Sequence, residues 1–149
     1  NMESRSAMLA GSMMAGMAFA NAPVAAVHAL AYPLGGHFHV PHGLSNALVL
    51  APVLEYNLPA AEAWYAELAA VINPTQRFAS PAEAARWFVD DMTRLVASMP
   101  FAQTLREVGV TEQDLDLLAT DAMKVERLLV NNPRPMTLDA ARGIYARQL

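Results

Sequence analysis

The sequence predicts an all-α domain, a bundle of about seven helices. Three observations lead there. No run of residues alternates apolar and polar with a period of two, as half-buried strands would require. Apolar residues recur at helical spacing in the second half of the chain, as in Trp87, Phe88, Met92, Leu95 and Val96. Proline, glycine and Ser/Thr cap signals punctuate the chain at helix-length intervals. At 149 residues the chain is long enough for one domain burying roughly 70% of its unfolded surface.

Taken in order, Met2 to about Phe19 reads as a helix of good formers, weakened at Gly11 and Gly16, where a neighbour can pack closely. Asn21-Ala22-Pro23 breaks it, and Pro23 suits a first helical position. A second helix runs from Val24 toward Tyr32. It is expected to stop there, because Pro33 disfavours helical geometry before it and Gly35-Gly36 follow. His37 to Val40 is then expected to be extended. Pro41 opens a third helix through Leu44 and Leu48 to Glu55, kinked or ended early by Pro52. Pro59 to Ile72 reads as a separate amphipathic helix with Trp64, Leu68 and Val71 inward.

Ser80-Pro81-Ala82-Glu83 is a capping box, and its helix carries the Trp87–Val96 stripe to near Pro100. Thr104 to Gly109 allows one or two further turns. Thr111-Glu112-Gln113-Asp114 caps a helix expected to last to about Val130. Asn131-Asn132-Pro133-Arg134-Pro135 is a loop, and Thr137 caps a last helix to Arg147.

Composition narrows the function. Net charge is −4 with no basic cluster, which argues against a nucleic-acid surface. The absence of cysteine removes disulfides, thiolate metal sites and thiol nucleophiles, and fits a reducing, cytoplasmic setting. Ser6 to Leu54 contains no Asp, Glu, Lys or Arg. Asn21, Pro23, Pro33, Gly35 and Gly36 interrupt that run, and its Ala, Gly and Met content speaks against a membrane span. The expectation is instead a segment buried on all sides within protein. Two such helices in so small a domain imply a further covering surface, so the chain is expected to be part of something larger.

All four histidines fall inside this run. Neutral imidazole binds iron, zinc, copper and nickel. His28 lies mid-helix, and His42 in the first turn of the next helix, so a fold-back would aim both at one spot. Tyr32, four residues after His28, shares its face. The alternative stays open that His28 is a core histidine bonded to a carbonyl and His42 a loop residue. His37 and His39 are expected to face together into solvent or a cleft, without a role.

The segments Gly16-Met17-Ala18-Phe19-Ala20-Asn21-Ala22, Val27-His28-Ala29-Leu30-Ala31-Tyr32-Pro33-Leu34-Gly35-Gly36 and Val40-Pro41-His42-Gly43-Leu44-Ser45-Asn46-Ala47 resemble the iron-containing (group III) alcohol dehydrogenase family. Asn131-Asn132-Pro133-Arg134-Pro135 with its capped terminal helix is similar to that family's ending. The resemblance implies the C-terminal, dehydroquinate synthase-like helical domain (residues 1–149) of a two-domain enzyme. It also implies an N-terminal nucleotide-binding domain preceding residue 1. His28 and His42 match two of four metal ligands, the other two being an Asp and a His upstream. Phe19 matches a position lining the substrate pocket.

Tyr32 departs from the histidine many members carry there; the hydroxyacid–oxoacid transhydrogenase branch has Tyr-Pro. The implied catalytic part for Tyr32 is hydrogen-bond donation to substrate or cofactor. The implied reaction is hydride transfer between an alcohol or carbonyl compound and NAD or NADP, assisted by Fe2+ or Zn2+, in a homo-oligomer. The chain alone is expected to be inactive. Maleylacetate reductase, glycerol dehydrogenase or transhydrogenase chemistry, and a non-catalytic helical module, are the alternatives.

Overall fold

The computed structural model describes residues 1–149 and contains helices and loops without strands. Seven α-helices follow one another: α1 (Met2–Asn21), α2 (Ala26–Phe38), α3 (His42–Ile72), α4 (Pro81–Ala97), α5 (Leu115–Met123), α6 (Glu126–Leu129) and α7 (Leu138–Ala146). Two 3-10 turns, Arg106–Val108 and Glu112–Asp114, join α4 to α5.

The packing falls into two apolar clusters. The larger joins Leu30 and Leu34 of α2, Leu48, Val49 and Val53 of α3, Leu118 of α5, and Ile144 and Tyr145 of α7. The smaller closes the hairpin of α3 and α4: Ala61, Tyr65 and Ala69 meet Ala84, Ala85, Phe88 and Val89, with the Tyr65 and Phe88 rings 5.1 Å apart. Small residues on both helices let the two backbones approach, and the tilted aromatic pair fills the remaining space.

Prolines end fewer helices than the sequence predicts. α2 continues through Pro33 to Phe38, with His37 inside it, and α3 runs unbroken through Pro52 and Pro59. Each proline forfeits one helical hydrogen bond, yet Pro33 and Pro52 are themselves buried among the apolar residues these helices contribute. Burial on that scale outweighs a cost of about 3 kcal/mol per interior proline.

Near Pro59 a second compensation operates. The Arg134 guanidinium donates to the Tyr56 carbonyl at 2.9 Å and lies 4.1 Å over the Tyr56 ring. Tyr56 Oη donates to the Pro135 carbonyl at 2.6 Å. The Asn57 and Asn132 amides exchange hydrogen bonds at 2.9 and 2.8 Å. The Asn131–Pro135 loop thus splints α3, and Asn131 also reaches the Val24 carbonyl at 3.2 Å.

Other expectations need correction. The inward face of the Pro59–Ile72 segment is Ala61, Tyr65 and Ala69, whereas Trp64, Leu68 and Val71 are 59%, 44% and 77% exposed. Size misled the face assignment: α4 lies close, and two alanines with the single ring of Tyr65 fill the face beneath it. On α4 the stripe is Ala84, Ala85, Phe88 and Val89, with Leu95 exposed and Trp87 half-buried. The helix after Thr111 breaks at Lys124–Val125, where no glycine or proline marks it.

The caps hold. Ser80 Oγ accepts from the Glu83 N–H, Thr111 and Asp114 form a reciprocal capping box, and Thr137 Oγ1 accepts from the Ala140 N–H. Glu83 reaches back one residue further than expected, to the Ala79 N–H.

The largest departure is α1. It is helical as predicted but buries none of its residues, so it is not enclosed within this chain. Met8, Leu9, Met13, Met14, Met17 and Phe19 all face outward. No single helix is long and apolar enough to cross a membrane, and the apolar pair α1 and α2 bends by 107° between its members.

Candidate metal centre

The turn between α2 and α3 decides where the histidines point. Gly35 and Gly36 are helical, and the reversal falls instead at His39, whose φ of 54° lies in the left-handed region that His enters more readily than most residues. The His39 N–H caps the Leu34 carbonyl. Pro41 is the N-cap of α3. Buried Ser45 donates from Oγ toward the Val40 carbonyl at 3.1 Å, with the Pro41 carbonyl also within reach. The fold-back is therefore pinned at both ends, and His42 emerges on the first turn of α3 beside the middle of α2.

The rings of His28 and His42 consequently meet, with centroids 5.2 Å apart and planes tilted by 55°. Two imidazoles bound to one cation through bonds of about 2.1 Å at a tetrahedral angle have centroids about 5.3 Å apart. The observed spacing fits that arrangement. Burial, with His42 beside it, pushes the His28 imidazole below its ordinary value. Both causes favour the neutral imidazole, the form that ligates.

Tyr32 stands one turn beyond His28, its ring 6.3 Å from His42. Across an open cleft of about 490 Å³ stand Ala15, Gly16 and Phe19 of α1, with Val24 at the elbow. All four residues singled out from the sequence, Phe19, His28, Tyr32 and His42, line this one cleft. It contains no carboxylate and no cation, and no group of three or more His, Asp or Glu capable of holding a metal occurs in the chain.

His37 and His39 do not join the cleft. His39 serves the turn. His37, in the last turn of α2, pairs through Nε2 with Asp121 Oδ2 at 2.6 Å, while Lys124 Nζ holds Oδ1 of the same carboxylate at 2.6 Å. The Lys124 and His37 hydrogen bonds keep the Asp121 carboxyl below the usual carboxylate range.

Sequence reasoning passed over two supporting residues. The Asn46 amide donates to the His42 carbonyl at 2.9 Å, which places its nitrogen 3.1 Å from ring Nε2; Asn46 Oδ1 is buried without a donor. The one-turn spacing of His42 and Asn46 was the available signal. Tyr145 donates from Oη to the Leu30 carbonyl at 2.6 Å, bracing the turn of α2 that lies between His28 and Tyr32. Nothing local marks that contact, which spans 115 residues.

An all-helical unit that brings two imidazoles together beside an apolar cleft offers two nitrogen donors from adjacent helices. Over residues 1–149 the chain matches the C-terminal domain of the Fe-containing alcohol dehydrogenase family, and it belongs to that family. It is 40% identical over 143 residues to long-chain-alcohol dehydrogenase 1 of Geobacillus thermodenitrificans (strain NG80-2), covering 96% of this chain and 36% of that protein. It is 37% identical over 134 residues to 1,3-propanediol dehydrogenase of Citrobacter freundii, covering 90% and 34%. Its fold superposes on the solved structure of an alcohol dehydrogenase from Oenococcus oeni with a TM-score of 0.91 and 34% identity, covering all of this chain and 39% of that one. The chain therefore spans about a third of the length of the relatives it matches.

Proposed function

We propose that this chain is the helical, metal-bearing portion of a cytoplasmic, nicotinamide-dependent alcohol oxidoreductase, and that His28 and His42 supply two of its metal ligands. The observation that carries this reading is the meeting of the two rings at a spacing suited to one shared cation. Two imidazoles are half of the usual four-donor set, and this chain groups no third His, Asp or Glu with them. In this proposal an Asp and a His from a preceding nucleotide-binding domain complete the set, and the chain alone is inactive. When bound, the divalent iron (or zinc) supplies Lewis acidity at the alcohol or carbonyl oxygen, and the NAD(P) nicotinamide exchanges the hydride.

The chain's own residues account for the remaining work. His28 and His42 fix where the substrate oxygen sits. Asn46 and Ser45 hold His42 in place through its backbone carbonyl and its turn. The Tyr32 phenol, one turn from His28, donates a hydrogen bond to substrate or cofactor. Phe19 and the uncharged α1 wall exclude water from the carbon chain, which strengthens electrostatic interactions at the reacting oxygen.

The relatives named above act on long-chain alcohols and on 1,3-propanediol by their printed names, which supports an uncharged alcohol as substrate. The test is metal analysis and alcohol oxidation by the full-length protein. His28→Ala and His42→Ala should each reduce bound iron or zinc at least ten-fold and abolish turnover. Full metal occupancy in the double variant refutes the assignment.

A further inference from the structure

Gly16 sits where a helix gains nothing from glycine. It lies in the interior of α1, costs about 1 kcal/mol of helix stability relative to Ala, and has no positive φ to justify it. Within this chain close packing does not explain it either, since a Cβ built there meets none of the chain's atoms within 4 Å. Gly11, on the same helix, is equally free of neighbours but is not part of the cleft. Gly16 does line the cleft, one turn from Phe19 and across from the histidine pair.

We infer that Gly16 sets substrate chain length, by leaving the α1 wall of the cleft open to the tail of an unbranched primary alcohol. The inference rests on the proposed function, because it takes the substrate oxygen to be held at His28 and His42. From that end, the apolar surface this chain offers to a carbon chain is the face of α1 carrying Ala15, Gly16 and Phe19, with Val24 at the elbow. A side chain at Gly16 meets no atom of this chain and stands at the cleft lining, so it takes up room otherwise available to methylenes. Each methylene displaced from apolar contact costs roughly four-fold in kcat/KM.

The experiment uses the full-length, metal-loaded enzyme and compares wild type with Gly16→Ala, Gly16→Leu and the control Gly11→Leu. Two series are measured: kcat/KM for straight-chain primary alcohols from ethanol to decanol, and equilibrium binding of straight-chain primary amides as unreactive probes. Gly16→Leu should lower the decanol-to-ethanol ratio at least ten-fold and weaken the long amides in parallel. Gly16→Ala should do so to a smaller degree, Gly11→Leu should leave the ratio alone, and bound metal should match wild type throughout.

An unchanged chain-length profile in Gly16→Leu or Gly16→Ala overturns the inference while leaving the proposed function standing. So does an equal change in Gly11→Leu. A wild-type enzyme that binds metal but oxidises no alcohol overturns the proposed function itself.

Discussion

Replacing Tyr145 by Phe isolates one hydrogen bond that holds the site's main helix in place. Tyr145 is fully buried, and its hydroxyl donates at 2.6 Å to the carbonyl of Leu30, itself fully buried. Burial pushes the phenol's pKa far above its ordinary value, so it remains a protonated donor at any working pH. The substitution keeps the ring and removes the donor alone. A buried hydrogen bond contributes about 0.5–1.5 kcal/mol net, and leaving its acceptor under-satisfied costs about 1–3 kcal/mol.

Leu30 lies in the turn where Pro33 already offers no N–H to the Ala29 carbonyl, so slack there is scarce. The expected loss is therefore about 1.5–2 kcal/mol, read as a fall of several degrees in the thermal midpoint by calorimetry of the full-length protein. Because Leu30 sits between His28 and Tyr32, metal affinity should weaken by a few-fold at the same time. An unchanged midpoint with unchanged metal affinity would show that α2 does not depend on this brace.

Tyr32→Phe in the full-length enzyme should lower turnover while bound metal stays at the wild-type level; kinetics identical to wild type would dismiss the phenol's part. Calorimetry of the 149-residue chain with zinc or ferrous iron should show weak binding or none, because two imidazoles lack the ligand number for a tight site. Submicromolar binding abolished by His28→Ala would count against a shared site. Asp121 has a folded pKa depressed by Lys124 and His37, so its contribution is present above the unfolded value of about 3.9 and is lost as pH falls through the folded one. Asp121→Asn should accordingly flatten the decline in stability on acidification, followed by denaturant unfolding from pH 6 to pH 2, and an unaltered slope would contradict the assigned pairing.

Much of the candidate cleft was legible in the sequence because its lining residues are close together in the chain. His28, Tyr32 and His42 need only one helix, one reversal and the next first turn to converge. Phe19 is carried into the cleft by the elbow before α2, although only the resemblance pointed to it. The means of reversal was misjudged, since Gly35-Gly36 invited a turn that the structure makes at His39.

Prolines 33, 52 and 59 were over-weighted for a related reason. Local rules price the lost hydrogen bond but not the burial of α2 and α3, nor the splint that Arg134 and Asn132 supply from some 75 residues away. Trp64, Leu68 and Val71 misled because large apolar side chains read as core, while the tight approach of α4 admits only Ala61, Tyr65 and Ala69. The outward-facing α1 was the reverse case. An uncharged helix was expected to be enclosed, and nothing within this chain encloses it.

The most direct test of the account is anomalous diffraction at the iron edge, or the zinc edge for zinc-loaded crystals, from the full-length protein. The account predicts one peak within about 2.0–2.3 Å of an imidazole nitrogen of both His28 and His42. A metal peak that touches neither ring, or only one of them, would contradict it.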